Sequence, residues 1–197
     1  MSRLQFKFNV FKIQHSIMLL LLIVSGLAFG NLPAYGQELP PVTNFSPNDY
    51  SAGNQNWMIS QADNKNLYFA NSTGLLEYNG ERWRLYPVPN KSIVRSVKVV
   101  EGKIFTGAYM EAGYWTPTDN GELIFQSLIS KFPNLSDGEQ FWDVEYIDGQ
   151  VVFRSFAGIY LYDLERNEIA KMANPGGKPV SNIFNFEDEL YFQLVGE

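Results

Sequence analysis

The sequence contains no cysteine, and its one histidine, His15, lies near the N-terminus. Without cysteine the chain can form neither a disulfide nor a lipidated cysteine anchor, so we expect a hydrophobic core to hold it together. The absence of histidine after residue 37 excludes Ser-His-Asp and Cys-His nucleophiles and nearly all zinc sites. Carboxylates are then the remaining side chains for acid–base chemistry, and we expect no cofactor and no metal.

Positive charge is also scarce. Arg3, Lys7 and Lys12 are the only charged residues among the first 37, so the rest of the chain holds 12 Lys and Arg against 21 Asp and Glu, a net charge of −9. Such a surface repels phosphates, and we expect no direct nucleic acid binding by this segment. The chain is 45% hydrophobic and 15% aromatic, with 16 Gly and 10 Pro, which favours a β-rich, turn-rich protein.

The N-terminus has three successive parts. A basic start precedes an apolar run of 13 residues, 17–29, and the small residues Ala34 and Gly36 follow. This order is typical of a secretory signal peptide over residues 1–36, cleaved between Gly36 and Gln37. The alternative is a membrane anchor, but a span needs about 20 apolar residues. We therefore expect export, a linker over 37–50 and no transmembrane span after cleavage.

A repeat occupies the rest of the chain. Four stretches, beginning at Asp63, Glu101, Asp148 and Glu187, each run from an acidic turn into a short apolar strand and then to a glycine. A β-like segment precedes each stretch, at residues 56–62, 92–100, 140–147 and 180–186, and Asn79-Gly80 is a strong hairpin signal. The glycines, Gly74, Gly113, Gly158 and Gly196, are 39, 45 and 38 residues apart.

Four short antiparallel strands in about 40 residues are typical of a β-propeller blade. The predicted fold is all-β: an incomplete β-propeller of about four blades, the last truncated, behind a signal peptide. The propeller repeats are expected over residues 51–197, with approximate units at 51–90, 91–135, 136–178 and a partial unit at 179–197.

The unit resembles the two-component-regulator propeller repeat, whose pattern runs strand, Asp-x-x-Gly-x-Leu-Trp-hydrophobic-small-Thr, then x-x-Gly-Leu-x-x-Tyr. The first unit follows this order through Asp63, residues 66–71, Gly74-Leu75 and Tyr78. Tyr or Phe replaces the usual Trp, and the loop before the second glycine is longer. The matching residues of the later units are Gly102, 104–107, Gly113, Trp115, Asp148-Gly149, Val152-Phe153, Gly158-Ile159 and Tyr162.

This resemblance implies a periplasmic sensor of a bacterial signal-transducing transcription regulator, often from Bacteroidetes. In such proteins a triple-tyrosine domain, a membrane helix and a histidine kinase or helix-turn-helix output follow the propeller. We interpret the chain as an N-terminal fragment located on the periplasmic or extracellular side, with the full-length protein anchored in the inner membrane. The expected partners are an oligosaccharide or other small extracytoplasmic ligand, and the remaining blades and downstream domains.

Equivalent first-strand positions supply the candidate ligand site. Counting back from the second-strand anchors Leu67, Ile104, Val151 and Leu190 gives Trp57, Arg95, Trp142 and Ser181. If first strands line the channel, these residues lie near its mouth, where Arg95 and Arg154 could hold a carboxylate or sulfate through paired hydrogen bonds. The alternative is that both are ordinary surface arginines. Trp83 and Trp115, on later strands, are expected to pack between blades.

Two other function classes stay open. A propeller glycosidase or lyase would use a pair of carboxylates, and five acids lie within a dozen positions: Asp137, Glu139, Asp143, Glu145 and Asp148. Solvated turns and strand edges explain these acids more simply, so we do not expect an enzyme. A structural or adhesive propeller without a signalling role is the other alternative.

Overall fold

The computed structural model describes residues 14–22 and 40–196, and the chain divides into two compact units, Met1–Thr43 and Asn44–Glu197. In the first unit, residues 14–22 are helical. The predicted cleavage site after Gly36 and the end of the apolar run lie outside the described residues. Within the described ranges, no helix is long and apolar enough to cross a membrane.

The second unit is all-β and consists of antiparallel sheets whose strands follow chain order. Three sheets have four strands each, β1–β4, β5–β8 and β9–β12, and β13 and β14 form a two-stranded sheet. The prediction of four antiparallel strands per unit is confirmed for the first three units. The strands are β1 (Asn56–Gln61), β2 (Leu67–Asn71), β3 (Gly74–Tyr78), β4 (Trp83–Tyr86), β5 (Val94–Val100), β6 (Lys103–Ala108), β7 (Ala112–Pro117), β8 (Leu123–Ser127), β9 (Phe141–Ile147), β10 (Gln150–Ser155), β11 (Ile159–Asp163), β12 (Glu168–Met172), β13 (Val180–Phe186) and β14 (Glu189–Leu194).

Short polar turns connect the last two strands of a sheet. Between β3 and β4, the side-chain oxygen of Asn79 accepts hydrogen bonds from the backbone N–H groups of Glu81 and Arg82, at 3.1 and 2.8 Å. Asp163 does the same between β11 and β12, with Glu165 and Arg166 as donors. Asn and Asp favour turns because they bond their own backbone in this way. The hairpin predicted at Asn79-Gly80 is therefore confirmed.

Glycine at the start of the third strand allows the fourth strand to approach closely. A Cβ on Gly74 would lie 2.5 Å from the carbonyl oxygen of Tyr86, and a Cβ on Gly113 would lie 2.3 Å from that of Gln126. Both oxygens belong to the backbone of the fourth strand, which cannot move aside without breaking the sheet. At Gly74 and Gly113 the glycine is thus required by the spacing of two strands.

Hydrophobic cores lie between successive sheets. Between the first and second sheets the core includes Leu75, Val97, Ile104 and Trp115. The core between the second and third sheets includes Phe105, Phe141, Phe153 and Tyr160. The core between the third sheet and the β13–β14 sheet includes Val152, Ile159, Val180 and Ile183. No sheet buries its apolar faces alone, so the sheets stabilise one another through these shared cores.

The first strands of neighbouring sheets lie side by side. The Val99 N–H donates to Ser60 Oγ at 2.9 Å, which joins β5 to β1. On its other side β5 contacts β9, where Lys98 and Glu145 form an ion pair at 2.6 Å. The side-chain Nδ2 of Asn185, on β13, donates to the backbone carbonyl oxygen of Tyr146, on β9. Residues that are distant in sequence are thereby brought together along these strands.

The end of the stretch predicted as a linker, residues 45–50, packs against the first sheet. Phe45 lies 5.2 Å from Trp83 between ring centroids, and Tyr50, in a one-turn helix (Pro47–Tyr50), lies 5.4 Å from the same ring. Trp83 also stacks on Tyr78 at 4.3 Å. Trp83 therefore packs against its own sheet and the preceding segment, not between sheets as predicted. Trp115 does lie in the core between two sheets, as predicted.

Candidate functional site

A β-bulge occurs near the start of each first strand. In β1, Asn56 pairs with Asn71 and Met58 pairs with Ala70, so that Trp57 is left out of the ladder. A bulge turns the side chain of its extra residue away from the regular alternation, and bulges are frequent beside functional sites. The residues left out at the four bulges are Trp57, Arg95, Trp142 and Ser181.

Strand pairing also confirms that these four positions are equivalent. The anchors Leu67, Ile104, Val151 and Leu190 pair with Gln61, Val99, Tyr146 and Asn185 of the first strands. Each bulge residue precedes the paired first-strand residue by the same four positions. The repeat therefore presents one side chain per sheet at one level, and three of the four are large.

Trp57, Arg95 and Trp142 meet at one place, which we call the aromatic corner. The guanidinium carbon of Arg95 lies 4.1 Å from the ring centroid of Trp57 and 4.4 Å from that of Trp142. The two indole rings are nearly perpendicular, at 83°, with their centroids 6.3 Å apart. Both contacts are close enough for cation–π attraction, so the rings hold the arginine between them. Trp57 remains 43% exposed, and the corner is open to solvent on that side.

Two buried donors of the aromatic corner have no acceptor. Neither Arg95 Nε nor Trp142 Nε1 has a hydrogen-bond partner. None of the ion pairs within residues 14–22 and 40–196 includes Arg95. Burial lowers the pKa of Arg95 from its ordinary value, but an arginine stays charged at physiological pH. The corner therefore carries an uncompensated positive charge.

Arg154 occupies a different environment from Arg95. It is only 4% exposed, and its Nε donates to the carboxylate of Asp143 on the neighbouring strand. Burial raises the pKa of Asp143, and the charge of Arg154 opposes this shift. Arg154 is thus a paired, buried cation beside the corner, while Arg95 is the unpaired one.

Phe156 extends the aromatic surface beyond the corner. It follows β10 in an exposed turn, lies 5.4 Å from Trp142 between ring centroids, and is 66% exposed. Sequence reasoning did not select Phe156, although a phenylalanine just before the repeated glycine is an available signal. Trp57, which contacts Arg95, and Phe156, which lies 5.9 Å from the guanidinium carbon of Arg154, are thus two exposed aromatic rings at this place.

The other acidic residues do not form a comparable site. Asp143 and Glu145 are each paired with a cation, and Glu139 is buried, with its Oε1 near the backbone N–H of Ala157. Asp137 and Asp148 are exposed. In residues 14–22 and 40–196 no group of three or more His, Cys, Asp or Glu side chains is placed to hold a metal ion.

A second polar region lies between the first and second sheets, beside a cavity of about 330 Å³. Glu77, which is buried, accepts hydrogen bonds from Asn66, Tyr68 and Tyr86 at 2.9, 3.2 and 3.0 Å. Burial, together with the charge of Glu77, raises the pKa of Tyr68 to about 12. Because its donors are all provided within the protein, this carboxylate is part of the core and does not await a ligand.

No family model matches the chain, and no curated protein matches it. Solved structures do. The extracellular domain of BT3049, described as a hybrid two-component system of B. thetaiotaomicron, is 15% identical with a TM-score of 0.55, and the match covers 81% of this chain and 23% of that one. The extracellular domain of BT4673 from the same organism, described as a one-component or hybrid two-component system, is 12% identical with a TM-score of 0.55, covering 71% and 19%.

A third match is the computationally designed Ika4 protein, which is 12% identical with a TM-score of 0.52, covering 82% of this chain and 99% of that one. The chain spans about a fifth of the length of the two extracellular domains. At these identities the likeness concerns the fold, and the chain shares the all-β fold of extracellular domains from bacterial two-component systems.

Proposed function

We propose that this chain is the N-terminal part of a β-propeller sensor domain that works outside the cytoplasm and binds a small ligand at the aromatic corner. The observation that carries the proposal is the meeting of Trp57, Arg95 and Trp142, one bulge residue from each of three sheets. In a propeller the innermost strands surround a central channel, which is a common place for ligands.

The arrangement of the sheets supports a propeller. Each four-stranded sheet is then one blade, with β1, β5, β9 and β13 as the innermost strands. The sheets share cores with their neighbours, as blades do. The fold similarity to extracellular domains of two-component systems supports a sensing role and an extracytoplasmic location, reached through the signal peptide proposed over residues 1–36.

In this proposal the four predicted site residues have different roles. Trp57 and Arg95 contact the ligand, through the exposed ring of Trp57 and the terminal nitrogens of the Arg95 guanidinium, and Trp142 packs against that guanidinium. Arg154 is a positioning residue, because its pairing with Asp143 fixes the strand that carries Trp142. The ligand is an oligosaccharide or another small extracytoplasmic molecule, and the remaining blades and the output domains are the partners that transmit binding.

A thermal-shift screen of small molecules, including oligosaccharides, tests the proposal. A ligand should raise the melting temperature of the wild-type chain but not of the Trp57→Ala or Arg95→Ala variant. The matched control is Trp83→Phe, which changes a tryptophan away from the corner. A ligand whose binding is unaffected by changes at all three corner residues would contradict the proposed site.

Two alternatives have their own tests. For a glycosidase or lyase, incubation with a panel of polysaccharides would give bond cleavage that disappears when a carboxylate is substituted; the pairing of Asp143 and Glu145 with cations speaks against this function. For a structural propeller, the coding region beyond residue 197 decides. A triple-tyrosine domain, a membrane helix and a kinase or helix-turn-helix domain there would favour sensing.

A further inference from the structure

The aromatic corner contains a charge and donors that the described protein does not satisfy. Arg95 Nε and Trp142 Nε1 are buried without an acceptor, and a ligand does not reach these two atoms. The terminal nitrogens of the Arg95 guanidinium are not among the buried unpaired atoms, and no ion pair within residues 14–22 and 40–196 engages them. They are therefore the donors that an external group can reach. The chemistry of that group can be derived from the donors.

The group must be an acceptor with negative charge. Arg95 presents a planar guanidinium, which matches the oxygens of a carboxylate or a sulfate, and its charge has no counter-ion within residues 14–22 and 40–196. The nearby carboxylate of Asp143 is already engaged by Arg154. A neutral hydroxyl would satisfy a donor but would leave the positive charge uncompensated.

The surroundings of Arg95 indicate what carries the anion. The exposed ring of Trp57 contacts the guanidinium, and the exposed ring of Phe156 packs against Trp142, which contacts the guanidinium as well. Aromatic faces of this kind pack against a flat ring, whether a sugar or an aromatic. A free inorganic ion would leave these rings unused.

We propose that the aromatic corner binds a ring-shaped molecule bearing a carboxylate or sulfate, with the terminal nitrogens of Arg95 donating to the anion and Trp57 and Phe156 contacting the ring. This inference rests on the proposed function, because it names the ligand class of the same site. It adds Phe156 to the site and makes Arg95 the residue that distinguishes charged from neutral ligands.

The test uses intrinsic tryptophan fluorescence, since two of the four tryptophans of this chain form the corner. The purified protein, with the remaining blades present, is titrated at constant ionic strength with glucuronate, glucose 6-sulfate, glucose and inorganic sulfate. The two charged sugars should give a saturable change, glucose and inorganic sulfate should bind at least tenfold more weakly, and the stronger of the two charged sugars identifies the anion.

Arg95→Met should weaken binding of the charged sugars by about 10- to 100-fold, the effect of losing charge-assisted hydrogen bonds. Arg82→Met, which removes an exposed arginine from the β3–β4 turn, should bind as the wild type does. Phe156→Ala should weaken the charged sugars but leave inorganic sulfate unchanged.

Unchanged affinity in Arg95→Met, or no saturable signal from either charged sugar, would overturn the anion site. Equal binding of glucose and glucuronate, lost in Trp57→Ala, would also overturn it but would leave the proposed sensing site standing. Binding of the charged sugars that is insensitive to Trp57, Arg95 and Trp142 alike would remove both.

Discussion

At the scale of single residues, Trp83 and Arg95 have different roles: Trp83 packs against other aromatic rings, and Arg95 is proposed to bind the ligand. Trp83 contacts four aromatic rings, those of Phe45, Tyr50, Phe69 and Tyr78. Replacing it by alanine should cost about 3 kcal/mol, the lower end of the range for large buried aromatics because it is only half-buried. Arg95→Ala should change the free energy of unfolding by about 1 kcal/mol or less, because the two lost cation–π contacts are offset by the removal of a buried donor without an acceptor. Urea unfolding measures both, and the reverse order would show that the two roles are wrongly assigned.

Tyr68 should control stability at alkaline pH. Its pKa in the folded protein is about 12, above the ordinary value of 10.0, because burial and the charge of Glu77 disfavour the phenolate. The folded state therefore holds this proton more tightly than the unfolded state, and stability is lost as the pH rises from about 10 towards 12.

Tyr68→Phe removes this ionisation, so its free energy of unfolding should fall less than that of the wild type between pH 9 and 12. Tyr109→Phe is a suitable control, because the Tyr109 side chain is exposed and lies outside the buried Glu77 network. The same alkaline loss in the wild type and in Tyr68→Phe would contradict the account.

Several features of the site could not be read from the sequence. The equivalence of Trp57, Arg95 and Trp142 follows from the repeat and was predictable. The pairing of Arg154 with Asp143 was not, since it depends on the register between β9 and β10, which places two residues 11 apart in sequence opposite each other. For the same reason the bulges were not foreseen, because a bulge is a property of two strands and not of one.

At the scale of elements, strands and hairpins were largely predictable because alternation and turn residues are local signals. β13 has the predicted bounds, Val180–Phe186, and β1 ends one residue before its predicted end. The packing of Phe45 and Tyr50, at the end of the segment predicted as a linker, was not predictable from local signals, since it depends on a distant partner, Trp83.

The repeated glycine gives a prediction at this scale. Gly113→Ala should strongly destabilise the second sheet, because the new Cβ would meet a backbone oxygen at 2.3 Å. Gly102→Ala is the control: its φ of +75° is unfavourable for alanine, at a cost of about 1–2 kcal/mol, but no atom lies within 4 Å. In chemical denaturation, Gly113→Ala should lose clearly more stability than Gly102→Ala; an equal loss would mean that strand spacing does not require the glycine.

At the scale of the whole molecule, the two-stranded β13–β14 sheet has no described neighbour on its far side and exposes Phe184, Phe186 and Tyr191. Ile59, on β1, is exposed as well. Exposed apolar patches and open strand edges favour association. Residues 38–197 expressed alone should therefore be marginally stable and should self-associate in sedimentation velocity experiments.

Phe184→Ser with Tyr191→Ser should reduce this association, while Ile124→Ser, at an exposed position on β8, should not. A sharp cooperative melt together with a monomeric sedimentation profile of the unmodified segment would mean that these surfaces are covered in a way the sheet arrangement does not provide.

The central claim is that three sheets bring Trp57, Arg95 and Trp142 together to hold a ligand, and the side-chain N–H resonance of Arg95 tests it most directly. With the guanidinium 4.1 and 4.4 Å from two indole rings, ring currents should displace one arginine Nε–H signal from the others in a ¹H–¹⁵N NMR spectrum. That signal should be absent in Arg95→Lys and should move further when glucuronate or glucose 6-sulfate is added. A spectrum without a displaced arginine signal, or a displaced signal that no added ligand moves, would contradict the account.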